Sequence, residues 1–174
     1  MKKNYVLDTN ILLESPTAIW GFEDNNVFIT TTTLQELDDK KTAQGEVGFN
    51  ARRVNHFIDD LCMKNKDHVK EGILLENGGK LAFLTEFDEF YLPEGYSLEF
   101  PDNRIIAATK KLSVEDLLPT ILVTNDVSMR TNALICNVSV EAYKNDHLSS
   151  DDNFYKGHTT IEVPLDMIRK IDLI

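Results

Sequence analysis

The chain has 174 residues, 42% of them hydrophobic, with 29 Asp plus Glu against 18 Lys plus Arg, so its net charge is −11. This length suits one domain with a full core, and the apolar content excludes a disordered tail. The acidity argues against a passive nucleic-acid binder held by a broad basic face, but not against an enzyme whose carboxylates hold metal ions that meet phosphate.

Residues 5–7 are the first apolar run, ending at Asp8-Thr9-Asn10, after which Ile11, Leu12 and Leu13 begin a helical pattern. Short apolar runs bounded by turn residues read as buried strands, and four more follow at 27–30, 81–84, 121–124 and 138–140. Helices are expected between them. One spans 34–41, with Thr33 and Glu36 at capping-box spacing. The next spans 48–63, with Val54, Phe57, Ile58 and Leu61 at i, i+3, i+4, i+7. Another opens at Pro101-Asp102 and runs to 111, with Ile105, Ala108 and Leu112 on one face. The last spans 127–133. Alternating strands and amphipathic helices predict an α/β domain with a mainly parallel sheet of about five strands.

Two segments stand apart. Residues 76–100 hold six acids and one base and read as a strand with an acidic loop or hairpin inserted before the Asp102 helix. Residues 146–174 read as a polar connector followed by a strand at 159–163 and a short helical pattern at 166–169, so the domain proper is placed at 1–145. Cys62 and Cys136 make no disulfide framework. With no signal peptide and no run near the ~20 apolar residues that span a bilayer, a cytoplasmic chain with free thiols and no membrane partner is expected. No zinc spacing and no phosphate-binding P-loop is present, so the chain by itself is not expected to hydrolyse ATP.

Four acids occupy equivalent places on this skeleton. Asp8 and Asp126 follow strands, while Asp102 and Glu36 lie in first turns of helices. In a parallel sheet, strand C-termini and the helix N-termini after them share the edge where ligand sites form. The acids are 28, 66 and 24 residues apart, so no local motif accounts for them. Taken alone, three of them have a ready structural explanation: an Asx turn for Asp8, a capping box for Glu36, the helix dipole for Asp102. Together they predict a carboxylate cluster that calls for a cation. Hard oxygen ligands favour Mg²⁺ or Mn²⁺, and such ions activate water for phosphodiester hydrolysis.

Val6-Leu7-Asp8-Thr9-Asn10, Leu34-Gln35-Glu36-Leu37, residues 101–108 around Asp102, and Val123-Thr124-Asn125-Asp126 resemble, in that order, the PIN domain. The segments at 37–41, 48–53 and 124–130 are most similar to the PIN domain at the N-terminus of PhoH-like proteins, in which a P-loop ATPase follows. The resemblance implies a three-layer α/β/α fold and a Mg²⁺- or Mn²⁺-dependent endoribonuclease acting on single-stranded RNA. It assigns Asp8, Glu36, Asp102 and Asp126 as catalytic metal ligands, with Asn10, Thr124 and Asn125 as supporting polar residues. The alternatives are a non-catalytic RNA-binding module of a PhoH-like helicase or ATPase, fused or in trans, and a toxin-type ribonuclease. A homo-oligomer is compatible with the sequence.

Candidate RNA contacts are Lys40, Lys41, Arg52 and Arg53 near the Glu36 helix, and Arg104 and Arg130 beside proposed metal ligands. Arg is shaped for bidentate phosphate contact, although a solvated face or neutralisation of the acids explains the same residues. Phe87, Phe90, Tyr91 and Tyr96 offer stacking faces, but the net charge of −5 over 76–100 favours packing of the loop onto the core.

Overall fold

A computed structural model describes residues 1–144. The strand, helix and connector expected between 146 and 174 lie outside the described residues. Five strands, β1 (Asn4–Leu7), β2 (Asn26–Thr30), β4 (Lys80–Leu84), β5 (Thr120–Val123) and β6 (Ser139–Glu141), pair in parallel. They are the five expected from the apolar runs. A sixth, β3 (Ile73–Leu74), runs antiparallel to β4 at one edge, giving the order β3-β4-β2-β1-β5-β6. The hairpin in this region is thus formed by β3 and β4 and overlaps the start of the stretch 76–100. Gly78, at φ +84°, takes the left-handed conformation that its turn requires. The acidic residues after β4 form a loop with one 3₁₀ turn at Glu89–Tyr91.

Side chains alternate across a strand, and β1, β2, β4 and β5 each feed two cores. Leu7, Val27, Ile29, Leu81 and Val123 pack on one face against Ile11 and Leu12 of α1 (Thr9–Glu14), Leu37 of α2 (Thr31–Lys40) and Ala51, Val54 and Ile58 of α3 (Gly45–Lys64). Val6, Phe28, Ala82 and Leu122 face the other way, against Ile105 and Ile106 of α4 (Pro101–Glu115) and Met129 and Ala133 of α5 (Val127–Ile135). The result is three layers, α/β/α. Cys62 packs against the first core and Cys136 in the second, and both are free thiols.

The expected helices form, with shifted ends. The second begins at Thr31, three residues earlier than its apolar pattern shows, because β2 runs to Thr30 without a break. Thr30 is its N-cap, and its hydroxyl accepts from the Thr33 amide at 3.0 Å. The Thr33–Glu36 capping box is thus corrected: Thr33 lies inside the helix, and the Glu36 carboxylate is not used at the cap.

The chain steps from β1 out to β2 and on to β4. It then crosses through α4 to β5, on the opposite side of β1. The strand order reverses between β1 and β5, and their C-terminal ends open the crevice where such sheets place ligands. At the other ends of β1, β2 and β5, Asn4, Asn26 and Thr120 bond to one another, with Asn26 Nδ2 donating to Asn4 Oδ1 at 2.9 Å. That edge is a closed polar seam. No described helix is long and apolar enough to cross a membrane.

Candidate active site

Asp8 leaves β1 at the reversal point, its amide donating to the Val123 carbonyl of β5 at 3.0 Å. It stands at the N-cap of α1, yet its carboxylate caps no helix amide. The Thr124 hydroxyl donates to its Oδ2 at 2.7 Å instead. The same hydroxyl accepts from the Asp126 amide at 3.1 Å. One buried threonine thus sets both the Asp8 carboxylate and the backbone that presents Asp126. Asp126 is the N-cap of α5, and its Oδ1 accepts from the Met129 amide at 3.0 Å.

Glu36 lies on α2, and its Oε2 accepts from the hydroxyl of the buried Thr9. Asp102 is in the first turn of α4, directly after Pro101. Pro101 suits that turn because its missing N–H has no intrahelical partner to lose.

These carboxylates feel one another. Asp8 is only 3% exposed, and burial pushes its pKa up to about 6, with the charges of Asp102 and Glu36 adding to the rise. The Thr124 hydroxyl and the Thr9 amide pull the other way without cancelling it. Asp102 is also held above the usual carboxylate range, first by desolvation and then by the Asp126 charge. Four acids from four separate elements are therefore brought within electrostatic reach at the end of β1. None is ion-paired with Lys or Arg among the described residues.

No group of three His, Cys, Asp or Glu among the described residues is arranged to close around an ion as it stands. The donor chemistry nevertheless fits a hard divalent cation. Every donor is a carboxylate oxygen, and burial first, then the neighbouring acids, disfavours the ionised forms of Asp8 and Asp102, which a cation beside them would favour.

The remaining sequence candidates divide. Asn10 is exposed on α1. Asn125 is committed to architecture: its Nδ2 donates to Glu14 Oε2 at 2.8 Å, and its Oδ1 accepts from the Tyr143 amide at 2.9 Å. Lys41 is paired with Asp38 at 2.5 Å, and Arg52 donates to the Lys41 carbonyl at 2.6 Å. Arg53 lies over Phe49 and Phe57, 5.8 and 5.6 Å from their ring centres. Arg104 donates through Nε to the Leu98 carbonyl at 2.5 Å and lies over Phe87. Lys40 is exposed at the end of α2, and Arg130 lies half-buried on α5, four residues past Asp126.

Sequence reasoning passed over two residues here. Thr9, which positions Glu36, had its only signal in adjacency to Asp8. Phe100, 62% exposed at the N-cap of α4, had none beyond preceding Pro101.

A family model described as PIN domain matches residues 5–144. The chain belongs to the PIN domain family. Among curated relatives of this PIN domain, Protein PhoH2 of Bacillus subtilis (strain 168) is 39% identical over 169 residues, covering 94% of this chain and 38% of that protein. Protein PhoH2 of Thermobispora bispora is 29% identical over 142 residues, covering 82% of this chain and 32% of that protein. The chain thus spans roughly a third of the length of these relatives. A solved domain of a functionally unknown protein from Methanocaldococcus jannaschii superposes with a TM-score of 0.51 at 16% identity, over 94% of this chain and 99% of that one. That likeness speaks to the fold alone.

Proposed function

We propose that this PIN domain is a divalent-metal-dependent endoribonuclease that hydrolyses phosphodiester bonds of single-stranded RNA. The observation that carries this reading is the electrostatic coupling of Asp8, Glu36, Asp102 and Asp126 at the strand-order reversal, with no Lys or Arg paired to them among the described residues. Asp8, Glu36, Asp102 and Asp126 would hold Mg²⁺ or Mn²⁺. The ion would supply an activated water and charge stabilisation at the phosphorus.

The protein's own residues prepare that site. Thr124 holds the Asp8 carboxylate in one orientation, and Thr9 does the same for Glu36. Holding two of the four acids in place in this way limits the rearrangement needed to close them around an ion. Arg130 and Lys40 are the candidate phosphate contacts whose side chains the described fold does not already occupy. Arg52, Arg53 and Arg104 have structural work of their own. The likeness to PhoH2 proteins, of which the chain spans about a third, supports a PhoH-type ATPase module, fused or in trans, as the partner of a cytoplasmic RNA-processing reaction.

The test is a cleavage assay on matched unstructured RNA and DNA with Mg²⁺, Mn²⁺ or EDTA. Asp126→Asn keeps a side-chain oxygen able to cap α5 but removes the charge. Loss of RNA cleavage by at least about a hundredfold is expected. Undiminished cleavage by this variant would reject the site, and faster DNA cleavage would reject the substrate.

A further inference from the structure

Asp102 is a wall of a second feature. A cleft of about 300 Å³ opens beside it, lined by Gly95, Tyr96, Phe100, Asp102, Asn103 and Asn132. The turn at residues 93–96, with Gly95 at φ +92° and the Tyr96 amide bonded to the Pro93 carbonyl, folds the acidic loop back toward α5. Tyr96 is thereby packed against the second core, and its hydroxyl donates to Asn132 Oδ1 at 3.2 Å. Asn103 Nδ2 donates to the Ser97 carbonyl at 2.8 Å. Each amide therefore has one end tied down. The Asn132 Nδ2 donors and the Asn103 Oδ1 acceptor remain unbonded among the described residues. Phe100 stands beside them, 62% exposed at the start of α4. An aromatic this exposed adds nothing to a core.

We infer that this cleft is a nucleobase subsite, where one unpaired base of the RNA strand lies against Phe100 and has its polar edge read by Asn132 and Asn103. The inference rests on the nuclease reading above and deepens it. A strand whose phosphate meets the four acids carries its neighbouring base past Asp102, which belongs to both features. Aromatic faces bind any base by stacking, while side-chain amides, offering donor and acceptor together, discriminate between base edges. The volume is at the small end of ligand pockets, ~300–1,000 Å³, which suits a single base. A base in a duplex has its polar edge occupied and cannot enter, so the cleft itself selects single strands. The acids of the loop do not oppose this, because a base is neutral and the phosphates lie on the Asp102 side.

Equilibrium binding separates the cleft from the chemistry. The probes are labelled 12-nucleotide oligo-A, oligo-U and oligo-C, and a 12-unit ribose-phosphate strand without bases, all in Ca²⁺ at fixed ionic strength. The full chain is expected to bind its preferred homopolymer about tenfold tighter than the base-free strand. Phe100→Ala is expected to collapse that ratio, and Asn132→Leu to reorder the preference among A, U and C. Circular dichroism of each variant confirms folding, and Tyr96→Phe, which removes the hydroxyl that holds Asn132 and also meets the Cys136 thiol, should shift the same ranking. Equal binding of base-bearing and base-free strands overturns the subsite, as does a ratio that survives both Phe100→Ala and Asn132→Leu. If the ratio collapses as expected but no metal supports cleavage, the subsite stands and the nuclease reading falls. If cleavage is normal while the ratio is untouched by the variants, the reverse holds.

Discussion

A single hydroxyl decides the geometry of the acidic site. Thr124 spends its one hydrogen on Asp8 and accepts the Asp126 amide with a lone pair, so β5 presents two acids through one side chain. Asp8 itself is costly in the folded chain. Its folded pKa of about 6 exceeds the ~4 of an unfolded Asp. Between those values the folded state binds more protons than the unfolded state, so stability falls as pH rises through the window. Mostly ionised at neutral pH, Asp8 costs on the order of 3 kcal/mol, from about two pKa steps at ~1.4 kcal/mol each. Asp8→Asn removes that cost and keeps an acceptor for Thr124. In EDTA at pH 7 the variant should melt several degrees above wild type, and the gap should close near pH 4. Adding Mn²⁺ should reverse the order, because the wild type alone gains a ligand. A variant that melts lower than wild type at pH 7 in EDTA would reject this account. Asp8, Asp102 and Asp126 were legible in the sequence because each sits where an apolar run stops or a helix opens; Glu36, expected in a first turn, is instead the sixth residue of α2. Thr9 and Phe100 were not legible, because a hydroxyl or a ring acquires its role only from what the fold brings to it.

At the scale of elements, the central parallel strands β1, β2 and β5 were legible because both their faces are buried, which leaves nearly uninterrupted apolar runs. The edge strand β3 was not. Two paired residues leave no periodicity, and Leu74 is exposed. The start of α2 was misplaced because Thr30 closes a strand and caps a helix at once, with no polar linker to mark the border. Helix α3 is the element on which the acids of the first layer depend. Asn50 Nδ2 donates to the Leu13 carbonyl of α1 at 2.7 Å, and Asn55 Nδ2 to the Leu37 carbonyl of α2 at 3.2 Å. These bonds tie α3 to the helices that follow Asp8 and carry Glu36. Its first turn is packed against the preceding chain. A Cβ on Gly48 would lie 1.8 Å from the Ala43 carbonyl oxygen, which is backbone and cannot rotate away. Gly48→Ala should therefore destabilise by about 1–3 kcal/mol, read as a lower urea midpoint at unchanged slope. Cleavage should fall further than the lost folded fraction explains, since α1 and α2 move with α3. A midpoint equal to wild type would show that the loop before α3 yields freely.

For the whole molecule, the charge of −11 has two distinct sources at the surface proposed to meet RNA. The four-acid cluster lies at the strand-order reversal. The stretch 76–100, net −5, supplies a cleft wall through Gly95, Tyr96 and Phe100, none of them charged. Bare carboxylates at the first site repel phosphate, so RNA and a divalent ion should bind as coupled ligands. Coupling free energies of this kind are typically about 1–3 kcal/mol, or 5–150-fold in affinity. Adding Mn²⁺ at fixed ionic strength should thus tighten oligo-U binding by at least about tenfold. Linkage makes the effect reciprocal: saturating oligo-U should tighten Mn²⁺ binding by the same factor in a separate titration. Asp102→Asn should shrink both numbers together, because Asp102 borders the acids and the cleft alike. Holding ionic strength constant is essential, since added salt alone weakens phosphate contacts and would mask the gain. Equal RNA affinity with and without Mn²⁺ would mean that the acids and the RNA do not share a site, and the acidity of the chain would again count against a nucleic-acid substrate.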